Sequence, residues 1–210
     1  MENEPVIRWS SDIKKLVEES EKNSSIVIGI DRDGTINKDL GTYVTRPEDF
    51  DPIPGSLEAM ALLRRNNFKI VIISNQGGIE KGIMTQQDVD RVHDYMFKLL
   101  GEKGCPSIDA LYYSASSRKG DEWAKPNVGM FKRAERENKN IKFSRGGYYV
   151  GDKITDLKAA IKIGAKPILV RTGYGKETEE LINKRFAYKE IKKVTTVYDD
   201  LHSFAKAITL

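Results

Sequence analysis

Five times along the chain a short apolar run breaks off and a helical pattern follows it. The runs are "SIVIGID" (25–31), "FKIVIISN" (68–75), "SIDALYYSA" (107–115), "GGYYVGD" (146–152) and "KPILVRTG" (166–173). Strands this rich in Val and Ile have no wet side, so both faces of the sheet must be covered. The segments between them, such as "TQQDVDRVHDYMFKLLGEKG" and "TDLKAAIKIG", space their apolar residues at helical intervals. The expected fold is therefore α/β: a single Rossmann-like domain, a mainly parallel sheet flanked by helices. A weaker strand is expected at "AYKEI" (187–191) and a last helix at "DDLHSFAKAI" (199–208).

Residues 25–210 are read as that one domain, since no repeat, linker or low-complexity tract divides them. Residues 1–24 are read as a helical extension, with "WSSDIKKLVEESEK" (9–22) as a polar amphipathic helix that packs on the sheet edge or contacts another subunit. A monomer or a homodimer is expected. The N-terminus lacks the basic start and apolar core of a signal peptide, and no segment has the apolar length of a membrane span. Cys105 is the sole cysteine, which excludes an internal disulfide and fits a cytoplasmic setting. A net charge of +4 allows an anionic ligand without demanding nucleic acid.

In open parallel sheets ligands bind beyond the carboxyl ends of the strands. Here those ends carry an unusual set. The first run stops at Asp31 and Asp33, the second at Ser74 and Asn75, and the fourth at Asp152; Lys125 stands before the helix that follows the third. Clustered carboxylates are costly unless a cation sits among them, and an all-oxygen donor set favours Mg²⁺ held against a phosphate. Asp31 and Asp152 are the expected side-chain ligands. Asp31 is also placed to attack phosphorus, and Asp33 to protonate the leaving oxygen and then activate water. Ser74 and Asn75 offer hydrogen bonds to phosphoryl oxygens, and Lys125 a fixed positive charge. Gly34 permits a sharp turn beside the ligand.

The motifs "DRDGT", "ISNQGGIEKG", "AKP" and "VGDKITD", in that order, resemble the four motifs of the haloacid dehalogenase-like phosphatases. The subgroup most resembled holds the D-glycero-D-manno-heptose 1,7-bisphosphate and histidinol-phosphate phosphatases. The resemblance implies that Asp31 is nucleophile and metal ligand. It makes Asp33 the general acid/base, with its backbone carbonyl on the metal, and Asp152 the acidic ligand. It gives Ser74 and Lys125 the phosphate, and Asn75 and Gln76 contact with substrate, along with the loop Asp39 to Tyr43. Lys153, also on the substrate side, and Asp156 support the fourth motif.

Two departures stand out. Enzymes of this subgroup carry a zinc loop of three cysteines and a histidine before the motif lysine; "SASSRKGDEWAKP" has neither residue type, so no structural zinc is expected. The subgroup also places an arginine before that lysine, where this chain has Ala124; Arg118 or Lys119 is left to compensate. Neither interval that hosts cap modules has room for one, so no separate cap domain is expected.

Some features carry blander readings. "DRDG" lacks the glycine position of a calcium loop, and "GYGKE" lacks the spacing of a phosphate loop. His93 and His202 are read as packing or surface residues without a role. Trp123 is open between lining the site and packing. The expected activity is a Mg²⁺-dependent phosphomonoesterase working through an aspartyl-phosphate on a small phosphorylated sugar or related metabolite. The alternatives are a polynucleotide 3′-phosphatase, acting on a nucleic-acid end, and a non-catalytic binding module.

Overall fold

A computed structural model describes residues 6–8 and 26–210. Seven strands form one sheet: β1 (Val6–Arg8), β2 (Val27–Ile30), β3 (Lys69–Asn75), β4 (Ala110–Ser114), β5 (Tyr148–Gly151), β6 (Lys166–Val170) and β7 (Thr196–Tyr198). Their order is β1-β4-β3-β2-β5-β6-β7. Strands β2 to β7 pair in parallel, and β1 pairs antiparallel with β4 at one edge. The α-helices among the described residues are α1 (Ser56–Arg65), α2 (Gln86–Glu102), α3 (Gly129–Glu137), α4 (Ile154–Ile163), α5 (Gly175–Lys184), α6 (Lys189–Val194) and α7 (Leu201–Thr209). None is long and apolar enough to cross a membrane.

The unbroken apolar strands are explained by two cores. Along β3, Ile70 and Ile72 face one layer with Leu57, Met60, Val92 and Phe204, while Val71 and Ile73 face the other with Phe131, Phe143 and Ala160. Helices thus cover both faces, and each residue of the run is buried by one or the other. The chain leaves β2 toward β3 and β4 on one side and returns to β5 and β6 on the other. This reversal leaves a crevice at the carboxyl end of β2, the topological switch point. Between Gly34 and Phe68, and between Gly77 and Ala124, only a 3₁₀ turn, α1, α2, β4 and loops occur, so no separate cap domain covers that crevice.

Two expectations are corrected. "AYKEI" is not a strand: Phe186–Tyr188 forms a 3₁₀ turn and Lys189–Val194 forms α6. Tyr188 and Ile191 lie three residues apart and pack on the same small core of Leu157, Leu169 and Ile182, a helical spacing that a five-residue window cannot separate from alternation. The edge strand falls later, at β7. The sequence predicts a helical extension before residue 25, yet Val6–Arg8 adds a strand to the sheet, with Ile7 opposite Tyr112. The helix read at 9–22 lies outside the described residues.

Candidate active site

Asp31 directly follows β2, and its carboxylate is fixed at one oxygen. Oδ1 accepts from the Arg32 backbone N–H at 2.8 Å and pairs with Lys125 Nζ at 2.7 Å. Lys125 also pairs with Asp156 at 2.9 Å and donates to the Tyr149 hydroxyl at 3.0 Å. All three ammonium protons are thereby engaged, and the lysine is a fixed charge rather than a swinging one. Its loop is held by a reciprocal amide pair: Asn75 Nδ2 donates to the Lys125 carbonyl, and Lys125 N–H donates to Asn75 Oδ1. Asn75 therefore bolts the end of β3 to the lysine loop.

Asp152 directly follows β5 and faces Asp31 across the crevice. Oδ2 accepts from the Tyr174 N–H at 2.8 Å, while Oδ1 is buried without a hydrogen-bond partner. Two glycines make room for it. A Cβ on Gly34 would stand 2.1 Å from Asp152 Oδ2, and one on Gly173 2.2 Å, and both residues have positive φ. Asp156, at the third position of α4, caps the Lys153 N–H with Oδ2 and turns Oδ1 to Lys125. One oxygen from each of Asp31, Asp152 and Asp156 lies within 4.8 Å of the others.

Lys125 is thus shared by two of the three buried carboxylates, Asp31 and Asp156, while the charge of Lys153 acts on Asp152. Burial pushes Asp31 up to about 6, with Asp156 adding to it against the pull of Lys125. Burial and then the negative charge of Asp156 raise Asp152 well above the carboxylate range. Lys125 stays charged despite its burial because Asp156 and Asp31 hold the proton on it. Excess negative charge, all-oxygen donors and the unpartnered Asp152 Oδ1 together fit a divalent cation of the Mg²⁺ type. Asp31 and Asp152 would hold it by their side chains, with the Asp33 carbonyl as the further ligand expected from the sequence.

Asp33, two residues from Asp31, meets the opposite environment. Arg32 grips it from the side, with Nε and Nη2 on Oδ1 at 3.0 and 2.9 Å and Nη2 on Oδ2 at 2.9 Å. Asn37 donates to Oδ1 and Gln76 to Oδ2, each at 2.9 Å. Burial opposes the charge, but Arg32, Asn37 and Gln76 outweigh it and hold Asp33 below the usual carboxylate range. Gln76 also donates to Ser74 Oγ at 2.8 Å, which leaves the serine O–H to point elsewhere as a donor. Its amide orientation is unambiguous, because Oε1 accepts from Arg32 Nη2 at 3.1 Å and a guanidinium can only donate.

The structure thus gathers Asp31, Asp152, Lys125 and Asn75, and joins Asp33 to Ser74 through Gln76. Gln76 is only 1% exposed and its amide is engaged by protein. Lys153 pairs through Nζ with Asp39 Oδ2 at 2.8 Å and lies over the Tyr174 ring, while the charges of Asp152 and Asp31 also hold its proton. Asp156, read from sequence only as a supporting member, is a full partner in the carboxylate cluster; its place four residues after Asp152 was the available signal. Arg32 had none, because nothing in "DRDGT" tells a buried arginine from an exposed one.

The loop before Lys125 is closed without metal-ligating Cys or His. Asp121 Oδ1 accepts from the Trp123 and Ala124 N–H groups, its carbonyl accepts from Asn127, and Glu122 O accepts from Gly129 N–H. Trp123 is half-buried and packs against the Phe131 core. Arg118 pairs with Glu80, and Ala124 is buried.

A parallel sheet whose strand ends bring Asp31, Asp152, Asp156 and Lys125 together at the switch point has the arrangement of a phosphatase of the haloacid dehalogenase-like superfamily, and comparison with known proteins shows that class. The family model described as polynucleotide kinase 3 phosphatase matches residues 13–200, and the chain belongs to that family. It is 37% identical over 166 residues to a D-glycero-D-manno-heptose-1,7-bisphosphate 7-phosphatase of Chlorobaculum tepidum, covering 74% of this chain and 83% of that protein. A D-glycero-beta-D-manno-heptose-1,7-bisphosphate 7-phosphatase of Pseudomonas putida is 34% identical over 85% of this chain and 97% of its own length. Among solved structures, the D,D-heptose 1,7-bisphosphate phosphatase of B. bronchiseptica, complexed with magnesium and phosphate, superposes with a TM-score of 0.77 at 30% identity, covering 87% of this chain and 97% of that one.

Proposed function

We propose that the chain is a Mg²⁺-dependent phosphomonoesterase for a small phosphorylated sugar of the D-glycero-D-manno-heptose 1,7-bisphosphate type, working through an aspartyl-phosphate on Asp31. One observation carries the chemistry. Lys125 and the Arg32 N–H both hold Asp31 Oδ1, which leaves Oδ2 as the attacking oxygen at the mouth of a carboxylate cluster. The names borne by the relatives, matched over most of their length, support the substrate class.

A divalent cation in this cluster would neutralise carboxylate and phosphoryl charge. In the first half-reaction Asp31 Oδ2 forms a bond to phosphorus as the bond to the sugar oxygen breaks, and Asp33 delivers a proton to that oxygen. Asp33 enters this step carrying a proton from solvent and regains one from water in the second half, so the cycle balances. In the second half Asp33 removes a proton from water, the water oxygen attacks phosphorus, and the bond to Asp31 breaks to release inorganic phosphate. The Ser74 O–H and the charge of Lys125 stabilise the phosphoryl oxygens.

The test is phosphate release with Mg²⁺ from a panel of heptose 1,7-bisphosphate, histidinol phosphate, nucleotides and a 3′-phosphorylated DNA oligonucleotide. The heptose bisphosphate is expected to give the highest kcat/KM. Preferential release from the oligonucleotide would move the assignment to a 3′-end phosphatase. Inactivity across the panel by a folded protein would leave a binding module.

A further inference from the structure

His93 lies in α2, 61 residues beyond Arg32, and has no role in the mechanism above. Its ring is fully buried, as is Arg32. Arg32 Nη1 lies 3.2 Å from His93 Nε2. A guanidinium has no acceptor, so Nε2 must accept and the imidazole must be neutral with its proton on Nδ1. The ring is also set against Tyr113, with centroids 5.3 Å apart.

This contact completes the aim of the guanidinium. Nε and Nη2 face Asp33, Nη2 also meets Gln76 Oε1, and Nη1 meets His93. A planar fork anchored on both sides has one orientation, and that orientation sets where the Asp33 carboxylate lies. A buried arginine serving only to balance charge would need just its carboxylate. Here a neutral acceptor from a different element is built in at its far end, and Gln76 links the same fork to Ser74 on the phosphate side.

We infer that His93 is a positioning residue for proton transfer: acting through Arg32, it fixes Asp33 where it can serve the leaving oxygen. The inference rests on the proposed aspartyl-phosphate chemistry, in which Asp33 is the proton donor. Positioning an acid matters most where the leaving group is poor, because a good leaving group departs without protonation.

The experiment compares kcat/KM, which reports the steps through phosphoryl transfer to Asp31, on two esters in the Mg²⁺-loaded full-length protein. One is the alkyl phosphate turned over fastest in the panel above; the other is 4-nitrophenyl phosphate. Asp33→Asn is the reference variant, and it must lose far more on the alkyl ester than on the aryl ester. If it does not, or if no alkyl phosphate is cleaved, the mechanistic reading fails and the inference falls with it. With that reference in hand, His93→Phe fills the volume without an acceptor. It is expected to lose about tenfold or more on the alkyl ester and less than about threefold on the aryl ester. His93→Gln, whose Oε1 can replace Nε2 as acceptor, is expected to restore most of the alkyl activity; if His93→Phe does not fold, His93→Gln is compared with His93→Met instead. Equal losses on both esters, or no loss on either, would overturn the positioning role while leaving the phosphatase reading intact.

Discussion

Asp31 and Asp33 are two residues apart on one loop, yet their surroundings differ in kind. Asp31 sits with Asp152 and Asp156 in one carboxylate cluster, and its pKa is driven up to about 6 by burial and by Asp156 against the pull of Lys125 and Lys153. Asp33 is surrounded by donors, and Arg32, Asn37 and Gln76 hold its pKa down. The first region is short of positive charge and the second is saturated with donors. In the proposed mechanism a cation and a phosphoryl group complete the first, while the second keeps a carboxylate in one place and ready to exchange a proton.

The strongest way to break this contrast is Asp31→Asn. It should lower kcat by about 10⁴-fold, because the amide cannot attack, with the fold unchanged by circular dichroism. Asp33→Asn should cost less, about 10²- to 10³-fold in kcat, with Mg²⁺ affinity near that of the parent by calorimetry, since its side chain stands apart from the carboxylate cluster. Equal loss of metal binding in the two variants would erase the distinction between the regions.

Asp152→Asn sharpens the comparison through stability. Without metal it replaces a buried carboxyl crowded by the charges of Asp156 and Asp31 with a neutral amide. The variant should therefore melt a few degrees above the parent, on the order of 1 kcal/mol. Adding Mg²⁺ should raise the parent's melting temperature and leave the variant's almost unmoved.

The smallest effect is in pH. A carboxyl whose folded pKa is raised binds its proton more tightly in the folded state. Its contribution is therefore full below the unfolded value near 4 and is lost as pH rises through about 6. Metal-free protein should lose part of its stability across that window. The thermal shift given by Mg²⁺ should grow over the same window, as the ligands ionise. A shift of constant size from pH 4 to pH 7 would place the metal on groups that do not titrate there.

Much of this was legible in the sequence because backbone position alone decided it. Strands buried on both faces must run as continuous Val/Ile segments, and residues just past their carboxyl ends must meet at the switch point. That argument reaches Asp31, Ser74, Asn75 and Asp152. It does not reach what depends on side-chain direction. Arg32 could have pointed outward, and His93 reads as an ordinary residue on an amphipathic helix until Arg32 is found against it. The bracing of Asp33 and Ser74 by Gln76 is likewise beyond a reading that expects Gln76 at the substrate. The short apolar signal at 187–191 failed for a different reason, since a five-residue window fits either period.

The central claim is that Asp31 carries the phosphoryl group while the carboxylates around it hold the cation. It is tested most directly by quenching the protein during turnover, reducing with borohydride and sequencing by mass spectrometry. The account predicts an acyl phosphate reduced to the alcohol at residue 31, formed only with Mg²⁺ and absent from Asp31→Asn. Reduction at another carboxylate, or undiminished turnover by Asp31→Asn, would contradict it.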